Sequence, residues 1–390
     1  MQRIGPYRVV RTIGIGGMGE VFLCALERAG GFEKRVAVKR ARAEGAPLAL
    51  FEREARLAAL LDHRHIVQIF DFGRDAEGAW LAMEYVQGVD LKAVLDLGEP
   101  VPVGVALEVA VACARGLAFA HRATDTTGRP LGIVHRDVSP HNVLLSFQGD
   151  VKLGDFGVAL ATARAGAAAA IHGKLAYMSP EQAAGAPADP RSDLFSLGVV
   201  LYELLAGRRC FFDGGDAAAL GARVRAGAPL CPLAEAAPDL PPALVAVVER
   251  ALAGAPEARF PDGDALADAL LAAAGAAGIT VGAPALGPWL AQRFGQAQAS
   301  LGPTPMEATA TAAAPIEATA AAAAPARSGP PPASAEAPPA VPPAGPAAAP
   351  RSPRRGGWLV VAAALVGAAA WFAWPDAPPP AGPDGAVATA

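Results

Sequence analysis

Two neighbouring stretches, Ile133-Val-His-Arg-Asp-Val-Ser-Pro-His-Asn-Val-Leu-Leu145 and Val151-Lys-Leu-Gly-Asp-Phe-Gly157, decide the fold of this chain. In the first stretch Asn142 follows Asp137 by five positions, and in the second stretch Asp155 follows Asn142 by thirteen positions. Each triplet alone is common, but the two triplets at this spacing form a specific pattern. Segments elsewhere in the chain are consistent with this pattern.

Upstream, a glycine-rich stretch, Ile13-Gly-Ile-Gly-Gly-Met-Gly-Glu-Val-Phe22, places Gly14, Gly16 and Gly19 at G-x-G-x-x-G spacing. Dinucleotide-binding folds share this spacing, but there a helix follows the glycines, whereas here Val21-Phe-Leu-Cys-Ala-Leu26 is a β-type run. Two strands joined by glycines form a hairpin whose backbone N–H groups can approach phosphates, because no Cβ intervenes. No Gly-Lys-Ser/Thr follows the glycines, which excludes a Walker loop.

The next strand, Arg35-Val-Ala-Val-Lys39, places Ala37 and Lys39 on one face because side chains alternate along a strand. A small residue beside a cation suits an adenine ring and its phosphates. In the helix predicted after this strand, Glu54 falls on an inward-facing stripe and needs a cationic partner, for which Lys39 is the candidate. Glu52 is the competing choice, but it falls off that stripe. The apolar residues that share the stripe are Phe51, Ala58 and Leu61.

Together with Ser179-Pro-Glu181, these motifs stand in the order in which protein kinases carry them, and the chain resembles the eukaryotic-like Ser/Thr protein kinases of bacteria. The resemblance covers about residues 5–272. It implies an α+β, bilobal fold: a small five-stranded antiparallel lobe with one helix to about residue 84, then a mainly helical lobe to about residue 275. It also implies a protein serine/threonine kinase, which transfers the ATP γ-phosphate to Ser/Thr hydroxyls of proteins.

The resemblance implies a role for each motif residue. Asp137 would accept the proton of the substrate hydroxyl, while Asn142 and Asp155 would hold Mg²⁺, with Mn²⁺ as the alternative ion, through oxygen ligands. Lys39, held by Glu54, would anchor the α- and β-phosphates. Met83 would gate the adenine pocket, residues 84–86 would form its hinge, and Asp90 would lie near the ribose. The residues expected to bind nucleotide are Ile13, Gly14, Ile15, Gly16, Gly17, Met18, Gly19, Val21, Ala37, Lys39, Glu54, Met83, Glu84, Val86, Asp90 and Leu144.

Three further residues are expected to be scaffold. Glu181 would pair with Arg259, and Asp193 would hold the catalytic loop from a buried helix.

Two positions depart from the pattern of the family. Ser139 stands where these kinases usually carry a Lys that touches the γ-phosphate, and losing that contact costs about 1.5–3 kcal/mol, or about 10–100-fold in rate. Lys174 stands where they usually carry Thr. The alternative hypothesis is therefore a weakly active or inactive pseudokinase that acts as an ATP-binding, membrane-tethered scaffold. A small-molecule kinase is disfavoured by the complete Ser-Pro-Glu segment and the Asp193 helix.

Composition excludes other classes. The 33 Lys+Arg and 37 Asp+Glu give a net charge of -4 with no basic run, so no nucleic-acid partner is expected. The four cysteines have neither a metal-binding nor a Cys-x-x-Cys spacing, which is typical of reduced thiols in a cytosolic domain.

The C-terminal part predicts four segments with different properties. Residues 276–300 form a short extension, and residues 301–355 are an Ala/Pro-rich disordered linker that cannot bury enough apolar surface to fold. Residues 356–374 are an uncharged run edged by aromatics, which predicts one transmembrane helix in the lipid bilayer. Arginines before the run and aspartates after it predict an inner-membrane protein with a cytoplasmic kinase domain and an extracytoplasmic tail, residues 375–390. Oligomeric state is not predicted.

Overall fold

An antiparallel sheet forms the first part of the chain. The computed structural model describes residues 2–16, 19–41, 52, 55–156, 174–212 and 214–300. The sheet runs in the order β1-β2-β3-β4-β6-β5. Its strands are β1 (Arg3–Ile4), β2 (Tyr7–Gly16), β3 (Gly19–Glu27), β4 (Glu33–Ala41), β5 (Ile69–Asp75) and β6 (Gly78–Glu84). The prediction of five strands was one short, because the two residues of β1 fold back and pair with the start of β2.

The two faces of this sheet differ in what they cover. On the outer face, Val36 and Val38 pack into an apolar cluster with Phe22 and Trp80. Ala37 and Lys39 point to the opposite face, as the alternation along β4 requires, and both are buried. The sheet therefore turns one buried cation toward the rest of the protein.

The remaining described part of the chain is mainly helical, with a small three-stranded sheet. That sheet consists of β7 (Gly88–Asp90), β8 (Val143–Ser146) and β9 (Val151–Leu153). The helices are α1 (Leu91–Asp96), α2 (Val103–His121), α3 (Pro180–Ala183), α4 (Pro190–Ala206), α5 (Ala217–Arg225), α6 (Leu233–Ala236), α7 (Pro242–Ala251), α8 (Gly263–Ala276) and α9 (Ala283–Ser300). Residues 55–58 are helical as well. The structure thus confirms the α+β prediction of a small antiparallel sheet followed by a larger helical part.

Helices α2 and α4 form the centre of the large core. Both are apolar on nearly every side, which is the pattern of a helix enclosed by neighbours. Within the described part of the chain, α2 is also the one helix long and apolar enough to cross a membrane, but it is mostly buried in this core. The predicted transmembrane helix, residues 356–374, lies outside the described residues, as do the predicted linker and tail.

The start and end of α4 are set by local sequence. The Asp189 side chain accepts a hydrogen bond from Arg191 N, and Asp189 N donates in return to Ser192 Oγ, forming a reciprocal cap. The helix ends at Gly207, whose φ of 62° lies in the left-handed region that favours glycine. These signals fix the position of Asp193, one turn from the cap.

The last helix, α9, packs on the helical lobe. Leu286, Trp289 and Leu290 are buried in the large core. Gly287 permits this approach, since a Cβ there would lie 3.0 Å from the carbonyl oxygen of Phe147 in the turn between β8 and β9. Arg293 Nε adds an ion pair with Glu99 at 2.9 Å.

Candidate active site

The glycine-rich turn joins β2 to β3. Gly16 lies opposite Gly19, and Gly14 lies opposite Val21. Ile13 is half-buried, whereas Ile15 is 72% exposed and faces outward. Gly17 and Met18, which stand between Gly16 and Gly19 in the sequence, lie outside the described residues.

Lys39 is brought to the middle of the site by β4. It lies opposite Val21 of β3 and Leu81 of β6, while Ala37 lies opposite Met83. Lys39 is 4% exposed, and its Nζ donates to Oδ2 of Asp155 at 2.8 Å. Burial alone would raise the pKa of Asp155, but the Lys39 ammonium outweighs that effect and lowers it. Asp155 is therefore held as a carboxylate.

Two carboxylates, Glu52 and Glu54, were predicted to compete for Lys39, and the structure describes one of them. Glu52 accepts a hydrogen bond from Nη2 of Arg74 on β5, so its side chain is engaged away from Lys39. Glu54 lies outside the described residues. Two members of the predicted inward stripe, Ala58 and Leu61, are buried, which fixes the direction of that face.

We expect Glu54→Ala to lower phosphoryl transfer about 10-fold or more, because it removes the predicted partner of a buried cation. Glu52→Ala is the matched control, since it removes only an exposed ion pair worth about 0–1 kcal/mol. Initial rates of both variants check the prediction. A larger loss in Glu52→Ala than in Glu54→Ala would move the partner assignment to Glu52.

The loop that carries Asp137 is held by one buried carboxylate. Asp193 is fully buried, and its Oδ2 accepts from His135 N at 2.8 Å while its Oδ1 accepts from Arg136 N at 2.7 Å. His121 Nε2, at the end of α2, lies 2.8 Å from the same Oδ2. Arg136 has a φ of 65°, a conformation that non-glycine residues adopt only where the surroundings hold it. Asp193 thus fixes the backbone just before Asp137.

The Asp137 loop and the Asp155 segment are tied to each other. Asn142 Nδ2 donates to the carbonyl oxygen of Asp137 at 2.7 Å, and Gly154 N donates to that of Asn142 at 2.8 Å. The His135 ring lies 2.9 Å from the Gly154 oxygen and packs at a tilted angle against Phe156, with 4.6 Å between ring centroids. Asp155 has a φ of 58°, the second strained non-glycine residue of the described chain. The Asp137 loop and the Asp155 segment therefore form one unit.

The donor set suits a divalent cation that also binds phosphate. Asn142 and Asp155 offer oxygen ligands, the type that Mg²⁺ prefers. Among the residues that the structure describes, no three His, Cys, Asp or Glu side chains converge into a complete metal cage. Magnesium usually takes one or two protein ligands and completes its shell with phosphate and water, so an incomplete set fits it.

The remaining predicted nucleotide residues line the junction between β6 and the small sheet. Glu84 N donates to Gln68 O at 2.8 Å, and the Glu84 carboxylate pairs with Lys152 of β9 at 2.8 Å. Asp90 caps α1 by accepting from Ala93 N at 2.8 Å. Leu144 lies opposite Asp90 in the small sheet and is half-buried, as is Val86.

Met83 borders a small pocket that also includes Asp155 and Phe156. Its walls are otherwise apolar, with Leu81 and Ala55 among them.

The expected scaffold pair is present. Arg259 donates to both carboxylate oxygens of Glu181, each at 2.8 Å, and its side chain has no exposure. Ser192 Oγ donates to Glu181 as well, at 2.7 Å. Burial alone would raise the pKa of Glu181, but hydrogen bonds from Arg259 and Ser192 lower it to about 2.

Sequence reasoning missed three contacts that shape this site. They are the His121 contact to Asp193, the Lys152 pair with Glu84, and the hydrogen bond that Gln182 Nε2 donates to Arg136 O at 3.1 Å. No spacing rule connects these residues, because each contact joins elements that are distant in the chain.

A buried lysine, a carboxylate held ionised beside it and a second carboxylate on a tied loop define a phosphoryl-transfer type of site. Comparison with known proteins agrees. The family model described as "Protein kinase domain" matches residues 7–262, and the chain belongs to this family. The family acts on protein substrates and uses ATP with a divalent metal.

The chain is similar to several curated bacterial kinases. It is 43% identical over 307 residues to Tyrosine-protein kinase MasK of Myxococcus xanthus, covering 76% of this chain and 47% of the relative. It is 38% identical over 279 residues to Serine/threonine-protein kinase PknA of Mycobacterium tuberculosis, covering 69% of this chain and 61% of the relative. It is 37% identical over 225 residues to Serine/threonine-protein kinase PrkC of Bacillus subtilis, covering 55% of this chain and 32% of the relative. The chain thus spans less than two thirds of the length of each of these relatives.

Proposed function

We propose that this chain is a protein serine/threonine kinase that transfers the γ-phosphate of ATP to hydroxyl groups of proteins. One observation carries the proposal: Lys39 is 4% exposed, and its Nζ donates to Asp155 Oδ2 at 2.8 Å, beside the loop of Asp137 and Asn142. A phosphoryl group is transferred mainly by positioning and charge neutralisation, and this cluster supplies groups for both.

Each residue has a defined part in the proposed reaction. Asp137 accepts the proton of the substrate hydroxyl while that oxygen bonds to the γ-phosphorus and the bond to the leaving β-phosphate oxygen breaks. Asn142 and Asp155 hold Mg²⁺, with Mn²⁺ as the alternative ion, and the ion supplies charge neutralisation of the phosphates. Lys39 anchors the α- and β-phosphates. In this proposal the adenine ring of ATP binds between the glycine-rich hairpin and Leu144, and residues 84–86 form the hinge beside it.

The acceptor hydroxyl is the finer part of the proposal. PknA and PrkC carry names that specify serine and threonine, and MasK carries a name that specifies tyrosine, at higher identity to this chain. Two of these three relatives therefore favour Ser/Thr, and tyrosine is the second candidate. The pseudokinase hypothesis retains one argument, which is Ser139 at the position where a Lys is usual.

One experiment tests the activity and the acceptor together. The purified chain is incubated with γ-labelled ATP, Mg²⁺ and myelin basic protein, and the labelled amino acids are identified after hydrolysis. We expect phosphoserine or phosphothreonine, and we expect Asp137→Asn to lose about 10²–10⁴-fold in rate. Detection of phosphotyrosine alone would show that the acceptor is tyrosine and not serine or threonine. Nucleotide binding without transfer above the Asp137→Asn level would support the scaffold hypothesis instead.

We further propose that residues 356–374 tether the kinase to the inner membrane, with the catalytic part in the cytoplasm. The support is the uncharged run Trp358 to Trp374, which is edged by aromatics. Three arginines, Arg351, Arg354 and Arg355, precede it, whereas aspartates follow it. Cationic flanks stay cytoplasmic, and the Ala/Pro-rich residues 301–355 give a flexible tether.

We expect the full chain to remain in the membrane fraction after an alkaline carbonate wash. A chain that ends at Arg355 should be recovered in the soluble fraction with an unchanged turnover number, because the motif residues lie before that point. Membrane retention of the shortened chain, or a full chain that is washed off, would contradict the tether.

A further inference from the structure

Asp137 has a cationic partner that does not come from its own loop. Lys174 Nζ donates to Asp137 Oδ2 at 2.9 Å. Among the described residues, Lys174 is the one Lys or Arg side chain paired with Asp137. Arg136, the neighbour in the loop, uses its backbone N–H and carbonyl oxygen to hold the loop. The charge beside the proposed base is therefore supplied by a distant segment.

Because residue 139 is a serine, the Asp137 loop carries no cation of its own at that position. Ser139 is 7% exposed and precedes the 3₁₀ turn Pro140–Asn142. A serine has no positive charge to offer a phosphoryl group. Lys39 donates to Asp155, so it does not supply the missing positive charge next to Asp137. Lys174, whose side chain is 38% exposed, is the group with both the charge and the access.

The segment that carries Lys174 is anchored at defined points. Tyr177 N donates to the Lys174 carbonyl oxygen at 3.1 Å, which closes a turn. The Tyr177 hydroxyl donates to the buried carboxylate of Glu203 on α4 at 2.8 Å, and Arg209 also contacts both groups. These anchors set where the flexible lysine stem begins, so they set its reach toward Asp137.

Resting on the proposed function, we propose that Lys174 positions the Asp137 carboxylate and supplies the positive charge that residue 139 lacks. A compact ammonium on a four-carbon stem can contact Oδ2 while Oδ1 stays available to accept the substrate proton. The same charge lies near the γ-phosphate during transfer, where negative charge must be neutralised. Transfer then depends on the docking of residues 174–182 against the Asp137 loop.

A double-mutant cycle tests this assignment. Lys174→Ala should lower kcat about 10–100-fold with little change in KM for ATP, because the lost contact acts on the base and the transferred group. In the Ser139→Lys background the same substitution should lower kcat by less than about 3-fold. Lys174→Arg should restore part of kcat. Lys92→Ala, which removes an exposed pair with Asp96, is the matched control and should match the native enzyme.

A second variant addresses the docking itself. Tyr177→Phe should lower kcat in the native background and much less in Ser139→Lys, because a cation at residue 139 does not need the segment. A purely structural role of Tyr177 predicts equal losses in both backgrounds together with a lower melting temperature, and that result would overturn the docking step.

The assay uses the full chain, Mg²⁺, ATP and myelin basic protein, with melting temperatures measured for each variant. Equal losses for Lys174→Ala in both backgrounds would overturn the assignment, as would an unchanged or raised kcat. If Ser139→Lys fails to fold, the test is the kcat of Lys174→Arg against that of Lys174→Ala at equal melting temperature. A higher kcat in Lys174→Arg supports the assignment, and an equal kcat overturns it. Failure of the proposed function is separate, since the native chain would then transfer no more than Asp137→Asn.

Discussion

Lys39→Met is expected to reduce phosphoryl transfer by at least about 100-fold while the chain keeps its fold. Lys39 is 4% exposed and donates to Asp155 at 2.8 Å, so the substitution removes the phosphate anchor and the charge that lowers the pKa of Asp155. Without that cation, burial favours the protonated carboxyl, which is a poor metal ligand. Methionine retains most of the buried volume, which limits the loss of packing.

The measurement is the initial rate with labelled ATP at saturating Mg²⁺, with far-UV circular dichroism as the check on folding. Lys92→Met is the matched control, because it removes a lysine from an exposed pair on α1. Activity of Lys39→Met within about 3-fold of the native chain would show that the anchor assignment is wrong. A loss of equal size in Lys92→Met would show that the effect is not specific to the site.

Arg259→Met is expected to lower the free energy of unfolding by about 3–5 kcal/mol. The guanidinium is fully buried and donates to both oxygens of Glu181, so its removal leaves a carboxylate in a low-dielectric environment with one remaining side-chain donor, Ser192. Three backbone carbonyl oxygens, those of Ala253, Arg191 and Gly254, lose a donor too. The double variant Arg259→Met/Glu181→Met should be less destabilised, because it leaves no unpaired charge.

Urea unfolding at several pH values measures both the loss and its cause. The pKa of Glu181 is lowered to about 2, so its ionised form stabilises the native chain above the ordinary glutamate pKa of 4.5, and that contribution is lost as the pH falls toward 2. In Arg259→Met this pH dependence should shrink, since the cause of the lowered pKa is gone. An unchanged acid profile with a loss under about 1 kcal/mol would contradict the prediction.

Local pattern located the groups of the candidate site. The period of two along β4 correctly placed Ala37 and Lys39 on one face, and the spacing of the two quoted stretches marked Asp137, Asn142 and Asp155. Helical periodicity correctly predicted that Ala58 and Leu61 are buried. The same stripe favours Glu54 over Glu52 as the partner of Lys39. These features follow from backbone geometry over a few residues, so they can be read from the chain without knowledge of its folded partners.

The sequence by itself determined the family, the class of fold and the identity of the motif residues, because these properties depend on residue types and short spacings. Only the tertiary structure decided which charges meet. Lys39 contacts Asp155 across 116 positions, Lys174 contacts Asp137 across 37, and Glu52 is taken by Arg74 across 22. The short strand β1 likewise forms only because it pairs with the start of β2. Such contacts depend on how helices and sheet pack, and packing is a property of the whole folded chain.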